Sequence, residues 1–112
     1  MINDMSTMSF AAAAYCLALE ADYAKNYTDK PMHFPKTFSV VPGRKFLKIV
    51  MTDTGDHRSV HSFINLTHPK FFPGDILKAA SWAAPALNFS RGNVLTHDWA
   101  GITWAGSFPG RG

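Results

Sequence analysis

Apolar residues return every three or four positions between residues 8 and 23, the period of a helix with a core-facing side. Phe10, Ala14, Leu17 and Ala21 make one stripe, and Met8, Tyr15, Leu19 and Tyr23 make a second beside it. Glu20, Asp22, Lys25 and Asn26 mark the wet side. No Gly or Pro interrupts this alanine-rich run, which predicts a helix from a Ser6 or Thr7 cap to about Asn26. Apolar surface this wide requires cover on more than one flank, from a sheet or from a second copy of the chain.

The period then shortens to two. Lys45 to Thr52 sends Leu47, Ile49 and Met51 to one face and Phe46, Lys48, Val50 and Thr52 to the other. Asp53-Thr54-Gly55-Asp56 is turn chemistry, and Arg58 to Leu66 is the return strand. In it, Val60, Ser62, Ile64 and Leu66 alternate against Ser59, His61, Phe63 and Asn65. After a loop holding Pro69 and Pro73-Gly74, residues Asp75 to Trp82 read as a third strand with Ile76, Lys78, Ala80 and Trp82 on one face. Pro31, Pro35 and Pro42 break the preceding segment, 28–43, into an irregular connection. Val94-Leu95 reads as a short edge strand and Thr96 to Ala100 as one helical turn. Trp99-Ala100-Gly101 and Trp104-Ala105-Gly106 then repeat within a glycine-rich tail.

These elements predict an α+β fold, an N-terminal α-helix packed on a three-stranded antiparallel β-meander with an irregular Trp/Gly-rich C-terminal tail. The 112 residues form a single domain: helix 1–27, Pro-rich connection 28–43, sheet 44–95, and turn and tail 96–112. A hydrophobic share of 46% with 17% charged residues excludes a disordered chain. Phe10 to Leu19 is too short to span a membrane, and no basic residue precedes it as in a signal peptide. One cysteine, Cys16, excludes a disulfide framework and a cysteine-rich zinc site, which fits a soluble protein of a reducing compartment.

The stretches Gly43 to Val50, Arg58 to Ile64 and Gly74 to Trp82, with Ala84-Pro85-Ala86 and Arg91-Gly92-Asn93, resemble a family of short proteins of tailed bacteriophages, mostly uncharacterised. The resemblance runs over about residues 43–106. The Pro69 to Pro73 loop and the alanine-rich front helix depart from it. It implies a phage protein, placed in the host cytoplasm or the virion, and it carries no activity with it.

Catalytic and metal chemistry find little support. His33, His57, His61, His68 and His97 are scattered, and His57 and His61, four apart along a strand, are separated by roughly 13 Å. Cys16 lies in an apolar helix, where a thiol is inert. Glu20 is the single glutamate, and neither a Gly-x-Ser-x-Gly turn nor a phosphate-binding loop occurs. The expectation is a non-enzyme without metal or cofactor.

Charge changes the picture more. The net charge is +3, with residues 1–41 summing to −1 and residues 42–112 to +4. A sheet face that mixes rings and cations stacks bases and neutralises phosphates. Arg44, Lys45, Phe46, Lys48, Lys78, Trp82 and Arg91 are the candidate nucleic-acid-binding residues. The plainer alternative has Phe46 and Trp82 in the core, with Lys48 and Lys78 snorkelling at its edge. Three tryptophans, three tyrosines and nine phenylalanines also exceed what a small core covers easily. Trp99 and Trp104 are therefore candidates for protein contact, with a virion component, a host protein or a second copy, unless the tail folds back onto the sheet edge.

Overall fold

The computed structural model describes residues 5–27, 36–53 and 57–105. It has an α+β fold. Helix α1 (Met5–Tyr27) packs on a four-stranded antiparallel sheet of β1 (Thr37–Val41), β2 (Phe46–Thr52), β3 (Arg58–Asn65) and β4 (Ile76–Lys78), in the order β1-β2-β3-β4. Most of the connection between residues 28 and 36, the tip of the β2–β3 hairpin and the chain beyond residue 105 lie outside the described residues.

The sheet has one strand more than the pattern predicts. Thr37-Phe38-Ser39-Val40-Val41 alternates polar and apolar residues and is rich in β-branched side chains, which suit a half-buried strand. Pro42 follows it and so costs the ladder no donor. At the other edge, β4 stops at Lys78 rather than Trp82. Beyond it the chain doubles back, with Ala86 N–H donating to Lys78 O at 2.7 Å and Ala80 N–H to Ala84 O at 3.0 Å.

The helix lies on the sheet with the two expected stripes unequally used. Met8, Tyr15, Leu19 and Tyr23 are buried, while Phe10 is 79% and Leu17 65% exposed. Of the side expected to be wet, Lys25 is exposed, while Glu20 and Asp22 act as anchors. Glu20 Oε2 accepts from Phe38 N–H at 2.8 Å, and Asp22 Oδ2 accepts from Trp104 N–H at 3.0 Å. Each carboxylate thereby satisfies a backbone N–H, one in β1 and one in the C-terminal tail. The core between helix and sheet holds Phe38, Leu47, Ile49, Ile64 and Ile76, closed at one end by Val94 and Ile102. Burial of each large aliphatic chain there is worth about 1.5–3 kcal/mol relative to exposure.

A β-bulge lies in β3. Ile49 pairs with Ser62 but Val50 pairs with Val60, so His61 is the extra residue. Strict alternation would place Arg58, Val60, Ser62 and Ile64 on one face. The bulge instead turns Ser62 and Ile64 to the helix and Arg58 and Val60 to the far side, with Val50 and Thr52. His61 itself turns inward, with its ring 5.7 Å from Phe38 and 6.2 Å from Tyr15.

The segment expected as an edge strand and helical turn is a tight hairpin. Asn93 N–H donates to Asp98 O at 2.9 Å and Asp98 N–H returns to Asn93 O at 2.8 Å. The Asn93 side chain accepts from Leu95 N–H at 2.7 Å, and His97 takes a positive φ of 54°. Asparagine at the head of the turn supplies a local acceptor that competes with helix.

Candidate functional site

The sheet has a helix side and a far side, and the far side gathers several cations around exposed ring surface. Register puts Phe46 and Lys48 of β2 there with Phe63 of β3, since Lys48 pairs with Phe63. The segment after β4 crosses this side and brings Trp82 over it. The Lys48 ammonium lies 4.3 Å from the Trp82 ring centroid, and the Arg58 guanidinium carbon 5.9 Å. Trp82 remains 48% exposed. Cations held on an indole face are attracted by its quadrupole and gain most where water is partly excluded.

Next to this cluster is a depression of about 270 Å³ whose lining includes Arg44, Lys45, Phe46, Lys48 and Phe63. Phe46 meets Phe63 edge to face at 6.2 Å and stacks on His68 at 5.9 Å. Arg44 and Lys45 are exposed on its rim. The loop behind the depression is fixed by Asn65. Its buried side chain donates to the carbonyls of His68, Phe71 and Phe72 at 3.1–3.2 Å and accepts from His68 N–H at 2.9 Å. One amide at the end of β3 thus organises the loop that carries Pro69 and Pro73.

The candidate residues divide. Arg44, Lys45, Phe46, Lys48 and Trp82 share the far side or its rim. Lys78 pairs with Ser62 and belongs to the helix side, where it borders a depression of about 230 Å³ with Met51, His61 and Trp104. Its expected company with Trp82 fails because β4 ends before Trp82 and the chain crosses to the other side. Arg91 stacks over Phe89 at 4.1 Å beyond β4, where its N–H donates to Ile76 O at 2.8 Å. Arg58 joins the cluster only through the bulge, and no period in the sequence signals it.

Trp99 and Trp104 do not stand out as a free aromatic surface. Both are half-buried against the core, Trp99 with its ring 5.6 Å from Tyr15 and Trp104 4.8 Å from Tyr23. The tail folds back, held by Asp22 at Trp104 N–H and by His61 at Thr103 O.

The inward His61 belongs to a buried hydrogen-bonded chain. Thr103 O can only accept, so His61 Nε2–H donates to it at 2.8 Å. Nδ1 then accepts from the Ser62 hydroxyl at 2.9 Å, and Ser62 Oγ accepts from Tyr15 O–H at 2.9 Å. Burial lowers the His61 pKa, which keeps the ring neutral and this direction of donation intact, and the Thr103 carbonyl opposes that shift in part. Burial likewise raises the Tyr15 phenol. Ser62 is fully buried, with its hydroxyl engaged by both Tyr15 and His61, so the adjacent serine and histidine are tied into the hydrogen-bonded core. Burial pushes the Cys16 thiol up to about 12, with Glu20 adding to the shift, which makes it a poor nucleophile. Among the described residues no three His, Cys, Asp or Glu side chains converge as metal ligands, and no helix is long and apolar enough to cross a membrane.

A family of unknown function (DUF7717) matches residues 3–108. The chain belongs to this family. No curated protein and no solved structure matches the chain. The matched span takes in α1 together with the sheet and the cation-and-ring cluster, so the front helix is within the DUF7717 pattern.

Proposed function

We propose that this DUF7717 chain is a small phage accessory protein that acts by binding, with nucleic acid as its ligand on the far side of the sheet. The observation that carries the reading is the placement of Lys48 and Arg58 over a half-exposed Trp82, beside a depression lined by Phe46 and rimmed by Arg44 and Lys45. Four cations here meet backbone phosphates, and Phe46 and Trp82 offer ring surface to unstacked bases. A pleated face with rings suits a single strand better than a duplex groove, which is read by an inserted helix or ribbon. The acidic Glu20 and Asp22 are on the opposite side of the sheet, engaged with backbone N–H groups. A protein ligand docked through Trp99 and Trp104 has less support, because both indoles are packed against tyrosines of α1.

Fluorescence anisotropy with labelled single-stranded and duplex DNA tests the reading. Single strands are expected to bind more tightly. With four phosphate contacts, affinity falls about fifty-fold between about 50 and 200 mM salt. Lys48→Gln or Arg58→Gln each lower the salt slope by about 0.7, and Trp82→Ala weakens binding by about five- to a hundredfold. Absence of binding at 50 mM salt, or full binding by Trp82→Ala and Lys48→Gln, removes the proposal.

A further inference from the structure

The loop between β3 and β4 continues the far-side cluster. Its first residues are tied to the rim, since Leu66 N–H and Thr67 N–H both donate to Lys45 O, at 2.8 and 3.3 Å. Arg44, Lys45 and Thr67 line a second depression there. Ring contacts run outward from the Phe46 wall of the first. Phe46 stacks on His68, and the His68 ring lies 5.8 Å from that of Phe71. The Lys70 ammonium lies 5.6 Å from the Phe71 ring centroid. Phe72 follows, with 77% of its surface exposed. Its backbone is nonetheless pinned on both sides, with N–H donating to Asp75 Oδ2 at 2.9 Å and the carbonyl accepting from the Asn65 amide at 3.2 Å. The carbonyls that Asn65 holds are those of His68, Phe71 and Phe72, the aromatic residues of this loop. A lone exposed apolar residue is ordinary on a surface. Here the ring stands on a fixed backbone, beside a cation and at the end of a path of rings, so little ordering is left to offset when a ligand stacks on it.

We propose, building on the single-strand reading above, that this loop is the second half of the nucleic-acid site, with Lys70 on a backbone phosphate and Phe72 stacked on an unpaired base. Lys70 is exposed and donates one N–H to Leu87 O, which holds the ammonium in place and leaves two donors for a phosphate. No Asp or Glu occurs between residues 57 and 74, so the loop adds positive charge to the cluster without a compensating acid of its own. An unpaired strand bends between stations of this kind and offers base faces to rings, which a stiff duplex does not. The consequence is a dependence on length. A short strand is held at the Trp82 end by Arg44, Lys45, Lys48 and Arg58, and a longer one gains Lys70 and Phe72 as well.

Anisotropy titrations of the full chain with labelled (dT)5 and (dT)16 test this, because the four internucleotide phosphates of (dT)5 are used up at the Trp82 end. Counterion release gives a salt slope of about −2.8 for (dT)5 and about −3.5 for (dT)16, so the longer strand loses about 130-fold in affinity between about 50 and 200 mM salt. Lys70→Gln should return the (dT)16 slope to about −2.8 and weaken its binding about five- to tenfold at about 50 mM salt. Phe72→Ala should weaken (dT)16 about fivefold or more. Both variants should bind (dT)5 as the wild type does, with unchanged melting temperatures, since both side chains are exposed. Binding of (dT)16 that Trp82→Ala weakens, but that Lys70→Gln and Phe72→Ala leave untouched, overturns this proposal and leaves the site at Trp82 standing. Equal losses for the two strands overturn it as well, because a contact beyond the reach of (dT)5 cannot weaken (dT)5. Failure of the wild type to bind either strand removes both readings.

Discussion

His61 illustrates what one residue can decide in a small core. Its side chain accepts from Ser62 and donates to Thr103 O, joining the sheet to the folded-back tail. Protonation would put a hydrogen on Nδ1, reverse the Ser62 hydroxyl and oppose the donation from Tyr15. The folded state therefore holds the proton less well than the unfolded chain, whose His titrates near about 6.5. Stability is expected to be level above about pH 7 and to fall as pH drops below 6.5, through the lowered folded pKa. Thermal melts at pH 7.5 and 5.5 check this. His61→Gln, which can still donate to Thr103 O, should flatten that part of the dependence, and an unchanged slope in the variant would assign the loss to other groups. The sequence places His61 on a strand and identifies Cys16 as inert. It does not show that His61 points inward, because strand period assigns it to the face opposite Ser62, and only the bulge lets both turn the same way.

At the scale of elements, strong local patterns carried through and weak ones did not. The helix and the β2–β3 pair are legible because 23 and 15 residues of consistent period outweigh any single tertiary contact. Strand β1 is less legible, since five residues set among prolines give a short signal that pairing with β2 then stabilises. Asp75 to Trp82 and Val94 to Ala100 misread for the same reason in reverse. There, backbone bonds to Ala84, Asp98 and Gly74 outcompete a faint alternation. The segment around Gly92 tests how firmly this C-terminal hairpin is docked. A Cβ at Gly92 would run into the Asp98 carbonyl oxygen and reach the Ile76 side chain at 3.5 Å. Gly92→Ala is expected to cost about 1–3 kcal/mol, and chemical denaturation measures it. A variant as stable as the wild type would show that the hairpin yields freely.

For the whole molecule, the cation-and-ring cluster faces away from α1, and the exposed Phe10 and Leu17 of α1 face away from the sheet. Leu17→Glu and Trp82→Ala share no contact, and their effects on stability should add within about 0.5 kcal/mol. A larger deviation in a double-mutant cycle would reveal coupling through the core. The α+β class, the helix, the central hairpin and the association of Phe46 with Lys48 follow from the sequence by itself, because period and turn chemistry act over neighbouring residues. Tertiary structure alone chose which stripe of α1 is buried, brought Arg58 and Trp82 together and turned Trp99 and Trp104 inward. Those outcomes depend on one inserted residue in β3 and on a chain reversal after Lys78, where bonds between distant backbone groups override local preference.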